Sequence, residues 1–176
     1  MTILKIIEVP HPILAKRARD VTDAEFGEGL EAHLSDMAET MYAAPGVGLA
    51  APQVADPRRI IVIDPGFEGE DGDSQKGREL FKMVNPRITD KSAETILWEE
   101  SCLSVPEMTI EVRRHLRVTV TWQDAHGVGQ EEVFRDFSAV VVQHELDHLE
   151  GVTLLDRSSR LKRGRYLKRQ KKLQRG

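Results

Sequence analysis

The chain has 176 residues, 40% of them apolar and 31% charged, with 29 acidic and 25 basic side chains and a net charge of −4. That length fits one domain with a real hydrophobic core, and the composition excludes an intrinsically disordered chain. The charge is unevenly placed: residues 157–176 hold ten basic side chains and no acid, against 15 basic and 29 acidic side chains in residues 1–156.

At the N-terminus, Ile3, Leu4, Ile6 and Ile7 are interrupted by Lys5 and followed by Glu8 and Pro10. The stretch is too short and too charged for a signal peptide. No apolar run approaches the ~20 residues of a membrane span, so a cytoplasmic location is expected. Thr22-Asp23-Ala24-Glu25 reads as a capping box that opens a helix. Phe26, Leu30, Leu34, Met37 and Met41 then make one apolar face. Gly27 and Gly29 weaken its first turn, and Ala44-Pro45-Gly46 ends it. Small residues follow in GVGLAAPQ, residues 46–53.

Residues 59–64, with their IIVI core, predict a buried strand, and residues 64–78, rich in Gly, Asp and Glu, a mobile surface loop. Short strands are expected at 82–84 and 95–100. Leu116, Val118, Val120 and Trp122 alternate with polar residues, which predicts a half-buried strand turning at 124–127 into another at 131–134. A second helix is expected from Asp136 or Ser138 to Leu149, closed by Gly151. Leu161, Leu167 and Leu173 predict a C-terminal helix with a basic surface. The order is an α+β pattern: mainly antiparallel strands packed around a central HExxH helix, with a basic helix at the end. The expected division is a catalytic domain over 1–156 and a tail over 157–176 that is not a separate domain.

The chemistry centres on His144-Glu145-Leu146-Asp147-His148, an HExxH pattern. Two histidines four apart share one helix face, so both imidazoles can reach one metal ion and the Glu between them can reach a water on it. A catalytic ion needs a third protein ligand and an open position. The metzincin pattern fails, because its third histidine position is Leu154, and the thermolysin-type pattern fails, because no Glu follows Glu150. The lone Cys102 is the best candidate, with His115, His126 and Asp156 as weaker ones.

Three segments, GVGLAAPQ at 46–53, ESCLS at 100–104 and QHELDHL at 143–149, resemble the three signature motifs of the peptide deformylase family, in the family's order and near its spacing. The resemblance implies removal of the N-formyl group from the N-terminal methionine of nascent peptides. It implies that Cys102, His144 and His148 hold one divalent metal, Fe²⁺ in cells with Zn²⁺ or Ni²⁺ as substitutes. Glu145 would take and return the water proton, and Gln53 and the backbone N–H of Leu103 would face the oxyanion. Gly48 would pair with the substrate backbone. Val47, Trp98, Phe137, Val140 and Val141 would line the methionine pocket.

Three positions depart from the family pattern. Ser101 stands where Gly is usual, Thr109 stands where a basic residue is frequent, and residues 138–141 lack an Arg. None removes a ligand, the base or the oxyanion donors, so they bear on efficiency and peptide range. Competing readings are an HExxH metallopeptidase, and a weakly active or non-catalytic ribosome-associated relative. The expected partners are formyl-methionyl nascent peptides and, through the basic tail, ribosomal RNA phosphates, with no membrane and no DNA. On this reading the tail serves delivery alone, and the chemistry lies in the body.

Overall fold

The computed structural model describes residues 2–66 and 79–173; of the loop expected at 64–78, residues 67–78 lie outside the described residues. The chain forms α1 (Glu28–Ala43), β1 (Gly48–Ala50), β2 (Ile60–Ile63), β3 (Phe81–Lys91), β4 (Thr95–Cys102), β5 (Val105–His115), β6 (Arg117–Gln123), β7 (Gly129–Arg135), α2 (Asp136–Leu149) and α3 (Arg160–Leu173). β1, β2, β3, β6 and β7 make one antiparallel sheet in that spatial order, and β4 and β5 make a second, two-stranded one. The architecture is α+β with antiparallel sheets. No helix among the described residues is long and apolar enough to cross a membrane.

The core has three parts. β2 is buried on both faces, which explains its unbroken IIVI run. Ile61 and Ile63 join Val118, Val120, Phe134, Val142, Leu146 and Leu149 on the side that α2 covers. Ile60 and Val62 join Leu30, Leu34, Met37 and Met41 of α1 on the other. The third cluster lies under β5, where Val105, Ile110 and Val112 pack with Leu14, Leu154, Leu155, Cys102 and Tyr166.

Several elements differ from expectation. The capping box lies on a single 3-10 turn, Asp23–Glu25, where the Glu25 carboxylate accepts from the Thr22 backbone N–H at 3.0 Å. Gly27 then takes φ +119, and the α-helix starts only at Glu28. A left-handed glycine stops helix propagation, so box and helix are separate elements. β5 carried no clear signal, because its inward side is Ile110, Val112 and the charged Arg114, which blurs the apolar alternation. The expected stripe on the C-terminal helix shifts: Leu161 is exposed, whereas Tyr166 is buried and Leu167 packs beside it. The side chain of Leu173 lies outside the described residues.

Candidate metal centre and substrate cavity

α2 carries both histidines, and local chemistry fixes how it sits. The side-chain amide of Gln143 stands in for a peptide group at the end of β5: it accepts from the His115 backbone N–H at 3.0 Å and donates to the His115 carbonyl at 2.8 Å. Gly151 takes φ +73 just past the helix end, and a Cβ there would lie 2.9 Å from the Ala15 and Lys16 carbonyl carbons. The helix therefore ends against the first segment of the chain. That segment also joins two other parts of the site, because Ile7 donates to the Gln53 carbonyl at 2.8 Å and Val9 to the Ser104 carbonyl at 3.0 Å.

Cys102 closes β4 and reaches α2: its Sγ lies 3.3 Å from Nε2 of His148. Donor atoms of Cys102, His144 and His148 all lie within 4.8 Å of one another, and no other group of this kind occurs among the described residues. The weaker candidates are elsewhere. His115 Nδ1 sits 2.8 Å from the Ser92 carbonyl, His126 is exposed in the β6–β7 turn, and Asp156 accepts from Thr153.

The surroundings suit a cation. Nδ1 of His144 lies 2.7 Å from a Glu100 carboxylate oxygen, which leaves Nε2 as its free donor atom. Burial alone favours neutral His144, but Cys102, Glu100 and Glu145 outweigh it and push its pKa well up. His148 is pulled down by burial and by its neighbour His144. Glu145 is buried, which lifts its carboxyl to about 7 against the pull of His144. Its Oε2 and the Nδ1 of His148 are buried with no hydrogen-bond partner. A thiol, two imidazoles and an unpartnered carboxylate oxygen form a donor set that a divalent ion fits.

Behind the histidines runs a charge network, buried at Glu100 and Arg114 and reaching the surface at Arg157. Glu100 accepts from Arg114 at 2.7 and 2.9 Å, Arg114 also donates to Asp147 at 2.7 Å, and Arg157 donates to Asp147 at 2.5 and 3.0 Å. Burial would raise the Glu100 pKa, but hydrogen bonds from Arg114 and His144 hold it at about 2. Glu100 and Asp147 lay inside the quoted motifs and were legible as polar positions. Arg114, in Arg113-Arg114, carried no signal, because only the inward register of β5 selects it.

A cavity of about 570 Å³ opens in front of the centre. Val47, Gly48, Gln53, Trp98, Cys102, Leu103, Phe137, Val140, Val141, His144 and Glu145 all line it. Of the expected site residues only His148 does not; it lies behind Cys102. Trp98 and Phe137 pack in a tilted arrangement with ring centroids 5.5 Å apart. Gln53 is buried, with its carbonyl accepting from the Ala50 N–H at 2.8 Å and its amide nitrogen 3.7 Å from the Cys102 sulfur and 3.2 Å from Ser104 Oγ. A Cβ on Gly48 would fall 2.4 Å from Oε1 of Glu145. Two of the three departures, Ser101 and Thr109, are directly opposed across the β4–β5 ladder, and both line the cavity.

The polypeptide deformylase family profile matches residues 3–164. The peptide deformylase of Phenylobacterium zucineum is 44% identical over 172 residues, covering 98% of this chain and 97% of that one. The corresponding protein of Zymomonas mobilis is 42% identical over 169 residues, covering 96% and 93%. The crystal structure of the Ehrlichia chaffeensis peptide deformylase in complex with actinonin superposes with a TM-score of 0.88 at 32% identity and full coverage of both chains. A lone buried cysteine meeting two α2 histidines beside an unpartnered glutamate, and sequence kinship over nearly the whole length, lead to one conclusion: the chain belongs to the polypeptide deformylase family.

Proposed function

We propose that the chain hydrolyses the N-formyl group from the N-terminal methionine of nascent peptides and releases formate. The observation that carries this reading is the buried Glu145 carboxylate, its Oε2 without a hydrogen-bond partner, beside three converging donor atoms at the foot of a mainly apolar cavity. Cys102, His144 and His148 would hold one divalent ion, Fe²⁺ in cells by family resemblance, with Zn²⁺ or Ni²⁺ able to replace it. When bound, the ion supplies Lewis acidity, lowering the pKa of a water toward neutrality and polarising the formyl oxygen.

The protein's own groups divide the remaining work. Water adds to the formyl carbon, the C–N bond breaks, and the water proton passes through Glu145 to the departing amine. Burial lifts the Glu145 carboxyl above the usual carboxylate range, the direction that suits a group that takes a proton and then returns it. Negative charge develops on the formyl oxygen, and the Gln53 amide and the Leu103 N–H are its donors. The Ala50 N–H holds the other end of the Gln53 amide, so its NH₂ is oriented before substrate arrives. β1 is the edge strand of its sheet, and Gly48 on it would pair with the peptide backbone in strand-addition fashion. Val47, Trp98, Phe137, Val140 and Val141 would take the methionine side chain.

On this reading the strands pack around the HExxH helix α2, residues 1–156 form the catalytic domain, and residues 157–176 extend it. The setting is cytoplasmic, and the basic tail meets ribosomal RNA phosphates where nascent chains emerge. Salt-sensitive co-sedimentation with ribosomes that survives removal of the tail would contradict that last point. The function itself is tested by anaerobic, iron-loaded turnover. Formate should be released from formyl-Met peptides and much more slowly from peptides formylated on other first residues. Cleavage of internal bonds in unformylated peptides, without formate release, would overturn it in favour of an endopeptidase.

A further inference from the structure

The basic C-terminal helix has two faces, and they differ chemically. Arg163, Tyr166 and Arg169 recur every three residues, so they share one side of α3. Arg163 pairs with Asp156 at 2.9 Å, Tyr166 is buried in the cluster that contains Cys102, Val105 and Ile110, and Arg169 pairs with Glu107. Arg160, Lys162, Arg165, Lys168, Lys171 and Lys172 are exposed and belong to no ion pair among the described residues. One face is thus committed to the body, and the other is left to solvent or a polyanion.

The committed face meets an irregular part of β5. Across the β4–β5 ladder Ser101 pairs with Thr109, but its neighbour Cys102 pairs with Val105, so residues 106–108 bulge out of register. Glu107 sits in that bulge at φ +58, a left-handed conformation that a residue with a Cβ adopts at some cost. Glu107, Met108 and Thr109 line the substrate cavity. α3 contacts this bulge from outside. Met108 packs against the cluster that includes Tyr166, and Arg169 holds the Glu107 carboxylate.

We infer that Tyr166 and Arg169 are positioning residues that set the β5 rim of the cavity, the part that meets the peptide beyond its first residue. The helix is then part of the substrate site as well as a basic appendage. Its assignment to peptide binding rests on the deformylase reading; its role in fixing the bulge does not.

Both parts can be tested on the full-length, metal-loaded chain with Arg169→Ala, Glu107→Gln, the double variant, Tyr166→Phe and Tyr166→Ala. Arg169 is exposed, so its loss should leave the thermal midpoint nearly unchanged. Amide exchange at residues 107–109 should rise about two- to fivefold in Arg169→Ala, the range of an exposed ion pair. The KM for formylated tetrapeptides should rise by a similar factor, about two- to fivefold, while the kcat, and the KM for formyl-methionine amide, stay put. The double variant should match Glu107→Gln alone; Tyr166→Phe, which keeps the ring, should keep parent exchange at residues 107–109, whereas Tyr166→Ala, which removes it, should raise that exchange. Unchanged exchange at residues 107–109 would overturn the inference whatever the activity. Raised exchange with equal KM changes for short and long peptides would overturn its peptide-site half. Raised exchange in a protein that releases no formate would instead count against the deformylase reading.

Discussion

At the scale of single residues, the site is organised by what each side chain excludes or completes. Gly48 is required less for its own flexibility than for the space it leaves. A methyl group there overlaps Oε1 of Glu145 at 2.4 Å and Cδ at 2.8 Å, so the carboxylate must move. Gly48→Ala should therefore lower formate release by about a hundredfold or more, the contribution of a well-placed general base. Bound metal should remain near one ion per chain; loss of the metal with the activity would mean that the residue serves the ion instead. The motif residues were legible in the sequence because their chemistry is local: HExxH presents two imidazoles by helical spacing alone, and a single cysteine leaves little choice of thiolate. Arg114 was not legible. Its importance comes from pointing inward from β5, where it bridges Glu100 and Asp147 and so holds His144 in place. Nothing in the string Arg113-Arg114 says which of the two does so.

Among elements, the connections around the 3-10 turn Ala51–Val54 matter most, because that turn carries Gln53. Asp56 ties it down. Its carboxylate accepts from the Arg58 backbone and guanidinium at 2.7–3.0 Å and lies 2.9 Å from Nε2 of His33 on α1. Burial alone would raise the Asp56 pKa, but His33 and Arg58 hold it well below the usual carboxylate range. A depressed folded-state pKa stabilises the fold above the unfolded value of about 4 and loses that contribution as pH falls through the folded value. Asp56→Asn should thus lower the unfolding free energy by about 1–3 kcal/mol at pH 7. The gap to the parent should shrink steadily in denaturant titrations below about pH 4; a gap independent of pH would show that Asp56 acts through packing alone. Element reading from sequence worked where one face was cleanly apolar, as in α1 and α2. It failed at the start of α1, where a left-handed Gly27 separates the capping box from the helix, and at β5, where a buried arginine stands among inward apolar residues.

Across the whole molecule, the uneven charge takes on a definite form. The ten basic residues from Arg157 onward include Arg157, Arg163 and Arg169, which pair with Asp147, Asp156 and Glu107 of the body. The sequence pattern reads as a tail concerned with delivery; the packing of Tyr166 with Cys102 and Val105 also ties it to the body. That union, like the separation of β4 and β5 from the larger sheet, depends on pairings between residues far apart in the chain, which composition and periodicity do not encode. β1, the β4–β5 hairpin and α2 enclose the cavity, and on the proposed mechanism Glu145 carries the proton transfer there. The most direct test is Glu145→Ala, assayed anaerobically for formate release from a formyl-Met peptide with metal content measured on the same sample. Retained metal with turnover reduced by about 10²–10⁴-fold is the predicted result. Parent-like turnover at equal metal content would contradict the mechanism.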